Sequence, residues 1–416
     1  MNRENNFRLV PRLRFPEFLN DANWVEDTLI NIAGFRRGSF PQPYGLPKWY
    51  DDINGMPFIQ VYDVGEDFRL KPKTKNKISK LGAEQSVFIP KGTVIITIQG
   101  SIGRVAITQY DAYIDRTLLL FEEFYIELDK TFFAYLLFLL FEIEKLKAPG
   151  GIIKTITKEV LSQFVVKLPS PKEQQKIAAC LSTLDEVITA ETKKLEILKD
   201  HKKGLLQNLL PQEGETVPKF RFKEFEDSGE WQETTLTQVA DYENGKAHEQ
   251  DIADDGKFIV VNSKFISQDG EVKKFTNTAF LPATKGDVLM VLSDIPNGRA
   301  IAKCFLVEED NRYTVNQRIC RITPRNINSK ILYYLLNRNP YFLAFDDGVK
   351  QTNLRKEDVL NCPLMIPEDP KEQEKIADTL SSVDDLINAQ NQKLEALQLQ
   401  KKGLLQGLFP SINNEE

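Results

Sequence analysis

The sequence predicts an α+β protein in which two similar domains are separated by two long helices that pair as an antiparallel coiled coil with pseudo-two-fold symmetry. Three observations lead to this prediction. One long segment occurs twice in the 416 residues, each copy has apolar residues at coiled-coil spacing, and each follows a region of short strand-like segments. We expect a first domain at 1–169, a central helical spacer at 170–211, a second domain at 212–368 and a C-terminal helical spacer at 369–416.

Residues 171–211 and 370–410 are the two copies. By direct comparison about 24 of the 41 positions are identical at a constant offset of 199, which chance does not produce. A shorter repeat opens each half, where residues 10–29 match residues 217–236 at an offset of 207. The stretches between are much less alike, although Lys-Gly-x-Val at 91 and 285 and Gly-Arg at 103 and 298 still correspond. A constant frame around a variable middle is typical of two domains that share a fold and bind different ligands.

Each copy of the repeat predicts one helix of about 39 residues, roughly 58 Å long. Ser170, Pro171 and Glu173 occupy the N-cap, N1 and N3 positions, and Asp369, Pro370 and Glu372 repeat that arrangement. Pro211 and Pro410 end the two helices. The residues that form the predicted seam lie at a and d positions of a heptad repeat: Ile177, Leu181, Leu184, Ile188, Leu195 and Leu198 in the first copy, and Ile376, Leu380, Val383, Ile387, Leu394 and Leu397 in the second.

So long and narrow an apolar stripe cannot be buried by a small domain, so each helix is predicted to pack against the other. Because a folded domain separates the copies, an antiparallel pair is the natural arrangement. Polar residues interrupt the seam at equivalent places, and a crosswise pairing would put Glu191 near Lys401 and Lys202 near Gln390. The alternative is that each helix packs only on its own domain.

The two domains are predicted to have the same α+β fold, because short alternating or apolar segments bounded by turn residues precede a helix in both. In the first half the predicted strands are 57–61, 86–89, 94–98 and 105–108, followed by a helix at 131–147. In the second half they are 258–261, 287–292 and 300–305, followed by a helix at 329–338.

The composition indicates a cytoplasmic globular protein, with 41% hydrophobic and 27% charged residues. The polar, Arg-rich start lacks the apolar core of a signal peptide, and the most apolar run, at 132–141, is about half the length of a membrane span. Four scattered cysteines (Cys180, Cys304, Cys320, Cys362) and two histidines predict reduced structural thiols and no metal site.

The net charge of −6 is unevenly distributed along the chain. Residues 1–170 contain 22 Lys/Arg and 20 Asp/Glu, a net +2, whereas residues 212–369 contain 20 and 26, a net −6. A net negative charge does not exclude nucleic-acid binding, because a local basic face determines the electrostatic potential at the contact surface. It predicts weak binding by the chain alone.

Residue types that contact nucleic acids are concentrated in the variable middles. Residues 68–82 carry six cations and no acid, and cations at every second position of an extended chain could follow a phosphate backbone; a solvated edge strand protected by lysines is the alternative. Loops at 34–51, 99–104 and 292–299 supply Arg, Gln, Asn and Lys, the residues that reach base edges. The predicted contacts are Arg36, Arg37, Gln42, Tyr44, Lys48, Arg69, Lys71, Lys73, Lys75, Lys77, Gln99, Ser101 and Arg104 in the first half, and Asn297, Arg299, Asn316, Gln317, Arg318, Lys350, Gln351, Asn353 and Arg355 in the second.

Catalytic motifs are not found. The string Asn339-Pro340-Tyr341-Phe342 lacks the second proline of an adenine methyltransferase loop. Two Glu-x-Lys tripeptides, at 191 and 271, occur without the Pro-Asp dipeptide of a nuclease, and the Gly-Lys pairs at 245 and 256 lack the rest of a P-loop. No catalytic residue is predicted.

The duplicated order, the openings PKEQQKIA and PKEQEKIA, the flanking RFPEF and RFKEF segments and the stretch IPKGTVIITIQGSIGRVAI resemble the specificity subunits of type I restriction–modification systems. The resemblance covers nearly the whole chain. It implies a non-catalytic DNA-recognition subunit for an asymmetric bipartite target, with one half-site per target-recognition domain and the helix pair as a ruler between them. It also implies two adenine methyltransferase subunits and restriction subunits as partners, with S-adenosylmethionine, ATP and Mg on those partners and no cofactor or membrane contact for this chain. A modification-only DNA reader and a coiled-coil scaffold that joins two protein-binding domains are the alternatives.

Overall fold

The computed structural model describes residues 9–147, 156–212 and 214–410, apart from the side chain of Lys147. The chain forms two compact units. Unit 1 comprises Met1–Thr192 and Gln392–Glu416, and unit 2 comprises Lys193–Asn391. Each of the two long helices therefore contributes its first part to one unit and its last part to the other.

Unit 1 contains two four-stranded sheets. Its elements are β1 (Val25–Thr28), α1 (Leu29–Ile32), β2 (Ala33–Arg37), β3 (Met56–Ile59), β4 (Asn76–Ile78), α2 (Lys80–Ala83), β5 (Val87–Ile89), β6 (Val94–Thr97), β7 (Val105–Ile107), β8 (Ala112–Ile114), β9 (Leu118–Phe124), α3 (Lys130–Lys147), α4 (Lys158–Ser162), β10 (Val165–Leu168) and the long helix α5 (Pro171–Leu209). The strand orders are β2-β9-β6-β7 and β4-β3-β8-β5, and β1 pairs with β10. Strands β3 and β8 are parallel, whereas their other neighbours are antiparallel. The strands and the helix predicted in this half all form, with ends shifted by one or two residues.

Unit 2 repeats this topology. Its elements are β11 (Gln232–Thr235), α6 (Leu236–Val239), β12 (Ala240–Asn244), β13 (Phe258–Val261), α7 (Ser263–Ser267), β14 (Phe275–Thr276), β15 (Pro282–Ala283), β16 (Val288–Val291), β17 (Ser293–Asp294), β18 (Cys304–Leu306), β19 (Tyr313–Val315), β20 (Ile319–Pro324), α8 (Ser329–Leu336), α9 (Pro340–Leu343), β21 (Thr352–Asn353), α10 (Lys356–Leu360), β22 (Pro363–Ile366) and the long helix α11 (Pro370–Leu408). The sheets run β12-β20-β16-β18 and β14-β13-β19-β15, with β13 and β19 parallel. The two variable middles thus share one fold despite their different sequences, as predicted.

The predicted antiparallel pairing of α5 and α11 is confirmed within each unit. In unit 1 the last turns of α11 lie beside the first part of α5, where Leu405 and Leu408 join Ile177 and Leu181 in one apolar core with α3. In unit 2 Leu209, at the end of α5, joins Ile376 and Leu380 of α11 in the equivalent core with α8. The predicted seam residues are buried or half-buried in both helices.

Lys401, Glu191 and Lys202 have ion-pair partners other than the predicted ones. Lys401 forms an ion pair with Asp185 at 2.6 Å and Glu191 pairs with Lys393 at 2.5 Å, so the crosswise Glu191–Lys401 prediction is wrong. In unit 2 Lys202 pairs with Asp384 at 2.5 Å. Lys401 and Lys202 each pair with an aspartate six positions before the predicted partner, Asp185 rather than Glu191 and Asp384 rather than Gln390, so the register is shifted by six residues from the predicted one.

The repeated frame segments clamp each domain onto its long helix. In unit 1 Arg14 donates from Nε and Nη2 to the two carboxylate oxygens of Glu173 at 2.9 and 2.7 Å, and Trp24 Nε1 donates to the same carboxylate at 3.4 Å. Gln174 accepts from the backbone N–H of Asp129, at the start of α3, and donates to the carbonyl of Pro169. Unit 2 contains the same set of bonds among Arg221, Trp231, Asn328, Pro367, Glu372 and Gln373.

Three of the cysteines, Cys304, Cys320 and Cys362, are buried in the core of unit 2, and all four thiols are free. Burial raises the pKa of Cys320 and that of Cys362 to about 12. Within the described ranges, no helix combines the length and the apolar character that crossing a membrane would require.

Candidate nucleic-acid interface

Loops from several elements gather at one edge of each unit, at the carboxyl ends of its parallel strand pair. In unit 1 the backbone N–H of Asp115, after β8, donates to Ile59 at the end of β3. The N–H of Ser39, after β2, donates to Ile114, and the N–H of Ile98, after β6, donates to Thr117. The loops at 38–45, 98–104 and 115–117 are therefore held together.

Unit 2 builds the same edge with equivalent backbone bonds. The N–H of Asn316 donates to Val261, that of Lys246 to Val315 and that of Leu292 to Arg318, at 3.0, 3.0 and 2.8 Å. The loops at 244–249, 292–299 and 316–318 therefore meet as their counterparts do in unit 1. Many of the residues predicted from the variable middles lie in these loops.

A glycine allows two of these loops to cross closely in each unit. A Cβ added to Gly38 would lie 2.4 Å from the carbonyl oxygen of Asp115, and one added to Gly245 would lie 2.0 Å from that of Asn316. No side chain fits at either position. The two glycines are 207 residues apart, the offset of the opening repeat, so the constant frame extends as far as this edge.

The edge of unit 1 exposes Arg37, Gln42, Tyr44, Gln99 and Ser101. Tyr44 packs on Phe40 with ring centroids 4.1 Å apart, and the guanidinium of Arg116 lies 5.6 Å from the Tyr44 ring.

Arg116 is exposed and was not among the residues predicted from the sequence. Its connection between β8 and β9 is short and flanked by apolar strands, which hides it. The signal that could have found it is the corresponding connection of unit 2, where Gln317 and Arg318 were predicted.

The predicted arginines of unit 1 differ in their electrostatic surroundings. Arg36 pairs with Glu122 at 2.6 Å, and Arg104 pairs with Glu66 at 2.7 Å, so local carboxylates neutralise both charges. Arg37 and Arg116 have no ion-pair partner among residues 9–147, 156–212 and 214–410. These two guanidinium groups are the more available for an external anion.

The lysine-rich segment is not the extended chain that its alternation suggested. Only Lys77 lies in a strand, at the edge of its sheet in β4, whereas residues 71–75 form an irregular loop. The loop wraps around buried Asp63, whose carbonyl accepts from the N–H of Lys71 and whose carboxylate accepts from the N–H of Lys75. Because the loop bends, the cations do not form one straight row. Lys71, Lys73 and Lys75 are nevertheless exposed, and Lys77 is half-buried.

Two other predicted cations are not part of the gathered loops themselves. Arg69 follows Phe68, whose ring packs on Tyr135 of α3. Lys48 Nζ lies 4.3 Å from the centre of the Trp49 ring, and Trp49 Nε1 donates to the carbonyl of Pro43 in the loop at 38–45. The structure thus groups only part of the predicted set of unit 1 at one edge.

Unit 2 has a feature that connects two of its loops directly. Strands β17 and β21 pair Ser293 with Asn353 and Asp294 with Thr352. Gln351 Nε2 donates to Ser293 Oγ at 2.6 Å, and Asn297 Nδ2 donates to the carbonyl of Gly348 at 3.1 Å. We call the joined segments 292–299 and 346–353 the tied loops. The tied loops and the start of α10 bring together the predicted residues Asn297, Arg299, Lys350, Gln351, Asn353 and Arg355, all of them exposed.

The remaining predicted residues of unit 2 have different local roles. The Asn316 side chain accepts from the backbone N–H of buried His248 at 3.1 Å, and Gln317 donates to Glu249 at 2.6 Å. Arg318 is exposed, with a φ of 68°. Asn316 therefore supports the loop, whereas Arg318 is free to contact a ligand.

The edge of unit 2 presents unpaired cations although residues 212–369 carry a net negative charge. Lys246, Arg299, Arg318, Lys350 and Arg355 are exposed, and none has an ion-pair partner within the part of the chain that the structure describes. The Asp294 and Asp347 carboxylates accept backbone N–H groups of their own loops. Such a surface suits a polyanion with hydrogen-bonding groups between its charges.

Two domains of one topology, each clamped to a long helix and each presenting a different set of polar loop residues, define a two-domain protein built by duplication. Comparison with known families is consistent with this class. The model of the type I restriction modification DNA specificity domain matches residues 46–200 and 228–399, and the chain belongs to this family.

Similar proteins extend over nearly the whole chain. The type I restriction enzyme MjaVIII specificity subunit of Methanocaldococcus jannaschii is 24% identical over 428 residues, 97% of this chain and 95% of that protein. The MjaIX specificity subunit of the same organism is 28% identical over 203 residues, 45% of this chain and 43% of that protein.

Solved structures show the same fold. The S subunit of a type I restriction-modification system from M. genitalium has a TM-score of 0.63 at 17% identity, with 97% of this chain and 100% of that chain covered. A chain from a structural study of type I R-M complex assembly and conformational transition has a TM-score of 0.53 at 16% identity, with 92% and 96% covered.

Proposed function

We propose that this chain is the DNA-binding specificity subunit of a type I restriction–modification complex and reads an asymmetric bipartite target, one half-site per unit. The observation that carries the proposal is the repetition of one loop-bearing edge with two different sets of side chains. Because the backbone bonds that hold the loops are equivalent, both edges can meet DNA in the same way. Because the exposed residues differ, with Arg37, Gln42 and Arg116 in unit 1 and Arg299, Arg318 and Gln351 in unit 2, the half-sites differ in sequence.

The exposed cations would supply the phosphate contacts that position each unit on the duplex. Arg, Gln and Asn side chains on the same loops would supply hydrogen bonds to base edges. The paired helices, which contribute to both units, would set the number of unread base pairs between the half-sites.

Chemistry would belong to partner subunits. We propose that two methyltransferase subunits bind this chain and modify adenine with S-adenosylmethionine, and that restriction subunits use ATP and Mg. The absence of methyltransferase, nuclease and P-loop motifs from the sequence supports a non-catalytic role for this chain. Its contribution to the reaction is to bring the partners to one DNA sequence.

Selection from random duplexes tests the proposal. The chain, purified with its methyltransferase, is incubated with duplexes that carry a randomised central region, and bound DNA is sequenced over several rounds. We expect enrichment of two short fixed sequences separated by a spacer of constant length and random composition. Enrichment of no sequence would overturn the proposal and favour a coiled-coil scaffold that joins two protein-binding domains.

A domain exchange assigns each half-site to a unit. Replacing residues 22–169 by the corresponding domain of another specificity subunit should change one half of the enriched target and leave the other half unchanged. A change in both halves would show that the units do not read independently. Repeating the selection with and without a restriction subunit distinguishes a complete system from a modification-only reader.

A further inference from the structure

The tied loops of unit 2 expose apolar side chains at their tips. Ile295 is 70% exposed and Val349 is 76% exposed, more than any other large apolar residue described in unit 2. The Asn297–Gly348 hydrogen bond holds the two tips side by side, since Ile295 is two residues from Asn297 and Val349 follows Gly348 directly.

The loops are rigid enough to keep these side chains in solvent. The Asp294 carboxylate accepts the backbone N–H groups of Ile295, Ala300 and Ile301 at 2.9, 2.6 and 3.1 Å, which closes the first loop. A Cβ added to Gly298 would lie 2.1 Å from Asp294 Oδ2, so only glycine fits that turn. In the second loop Asp347 Oδ1 accepts the N–H groups of Val349 and Lys350 at 2.8 and 3.0 Å. The tips cannot readily fold back onto the core of unit 2.

Ile295 and Val349 are β-branched, and such side chains have few rotamers, so a contact costs them little conformational entropy. Their neighbours Asn297, Arg299, Lys350 and Gln351 are exposed and polar or cationic. A ligand for this surface must therefore combine negative charge, hydrogen-bonding edges and a small apolar group. In the major groove of DNA, the thymine methyl group is the apolar feature of the base edges.

Unit 1 does not repeat this arrangement. The isoleucine of its corresponding loop, Ile102, is only 7% exposed and belongs to the core of that unit. The loop of unit 1 presents Gln99 and Ser101 to solvent instead. The apolar tips are thus a property of the edge of unit 2 rather than of the shared frame.

We infer that Ile295 and Val349 are specificity-determining residues that contact thymine methyl groups in the half-site read by unit 2. The inference rests on the proposed function, because it requires that unit 2 read DNA. Neither Ile295 nor Val349 was among the DNA contacts predicted from the sequence.

Replacement of thymidine by deoxyuridine tests this contact, because deoxyuridine lacks the methyl group and keeps the same hydrogen-bonding groups on the base edge. The duplex is the target enriched by the selection, and the domain exchange identifies the half-site of unit 2. Each thymine of that half-site is replaced in turn, and the Kd is measured for the unaltered complex and for the variants Ile295→Ala and Val349→Ala. We expect each variant to weaken binding by about fourfold or more, the ratio for one buried methyl or methylene group. Deoxyuridine at the contacted position should weaken binding of the unaltered complex by a similar factor.

Binding of each alanine variant to each deoxyuridine-substituted duplex distinguishes a direct contact from two independent effects. If a side chain touches the methyl group, the variant should be insensitive to deoxyuridine at that position, so the two effects do not multiply. Ile53→Ala in unit 1 is the matched control, since Ile53 is 85% exposed, and it should leave these ratios unchanged. Thermal melting of each variant verifies that an exposed substitution has left the fold intact.

Three results would overturn the inference while the proposed function stands. The effects of the alanine variant and of deoxyuridine on the Kd could multiply, deoxyuridine could have no effect at any position, or the half-site could contain no thymine. Variants that weaken assembly with the methyltransferase and leave DNA binding by the chain unchanged would also overturn it, in favour of a protein-docking surface. If the selection enriches no sequence, the inference and the proposed function both fail.

Discussion

Glu173 and Glu372 explain why the motif Pro-Lys-Glu-Gln occurs twice in this chain. Each glutamate carboxylate is 1% exposed and accepts two hydrogen bonds from an arginine that lies more than 140 residues earlier in the sequence. The hydrogen bond to Glu173 raises the pKa of Arg14. The proline starts the long helix, the glutamate anchors the opening segment of the domain, and the glutamine anchors the start of the domain helix, α3 or α8. The motif is therefore a structural junction rather than a ligand site.

We expect Glu173→Ala to lower the free energy of unfolding by about 3–5 kcal/mol, because it leaves Arg14 buried without its charge partner. The side chain of Arg14 is 4% exposed, so water cannot replace the carboxylate without opening the clamp. Denaturant titration measures the change. Glu372→Ala should destabilise unit 2 by a similar amount, because the distances there agree to within 0.1 Å.

Lys172→Ala is the matched control, since Lys172 is exposed in the same first turn, and it should change stability by less than about 0.5 kcal/mol. Equal destabilisation by Glu173→Ala and Lys172→Ala would show that the clamp does not hold the domain.

At the scale of elements, one three-residue cluster joins a domain helix to both long helices in each unit. In unit 1 Tyr135 of α3 donates to Asp185 of α5 at 2.6 Å, and Asp185 also pairs with Lys401 of α11. In unit 2 Tyr334 of α8 donates to Asp384 of α11 at 2.7 Å, and Lys202 of α5 completes the cluster. Burial, followed by the hydrogen bond to Asp185, raises the pKa of Tyr135. The cluster fixes the register of the helix pair against the domain.

Asp185→Ala should destabilise the protein by about 1–3 kcal/mol, because it removes the partner of both Tyr135 and Lys401. Lys401 is 21% exposed and Asp185 is 16% exposed, so both groups are partly desolvated. Lys393→Ala is the control, since Lys393 is 52% exposed and an exposed ion pair contributes about 0–1 kcal/mol. Destabilisation no greater than that of the control, measured by denaturant titration, would contradict a register-setting role for the cluster.

The lysine-bearing loop of unit 1 gives a prediction at the same scale. Alanine at Lys71, Lys73, Lys75 and Lys77 should weaken binding to DNA of any sequence. Each lysine that neutralises a phosphate releases counterions from the duplex, and the variant loses this contribution. The salt dependence of the affinity should flatten by about 0.9 for each phosphate that is no longer neutralised. Binding titrations over a range of salt concentrations measure the slope.

Alanine at Lys193, Lys194, Lys199 and Lys203 is the charge-matched control for that quadruple variant, because these lysines are also exposed and lie on α5 rather than in the loop. If both quadruple variants give the same slope, the loop makes no special contact with phosphate, and its lysines serve solubility.

For the whole molecule, the boundary between the units falls near the middle of both long helices, between Thr192 and Lys193 and between Asn391 and Gln392. The Lys401–Asp185 and Lys202–Asp384 pairs each lie inside one unit. An insertion at the two boundaries therefore keeps these clusters within each unit. This makes the proposed ruler testable without disturbing the domains.

One heptad inserted at both boundaries preserves the seam and adds about 10.5 Å to each helix. At about 3.4 Å per base pair, the spacer between the half-sites should grow by about three base pairs while both half-sites keep their sequences. Activity should fall in part, because the longer spacing rotates one half-site around the duplex. Single-molecule sequencing of modified sites measures the spacer, and a spacer of unchanged length would mean that the helices only hold partners.

The sequence alone determined the features that repetition and periodicity encode. The 39-residue helices, their proline ends, their antiparallel pairing and the shared domain fold all follow from local spacing or from the constant offsets of 199 and 207. Tertiary structure alone decided the features that depend on which distant groups meet. The register of the helix pair is one, because Asp185 and Asp384 bind the lysines that the repeat placed opposite Glu191 and Gln390. The bent lysine loop is another, because buried Asp63 binds its backbone. Arg116, Ile295 and Val349 became visible only when the fold placed their loops together, since no local pattern records which turns share an edge.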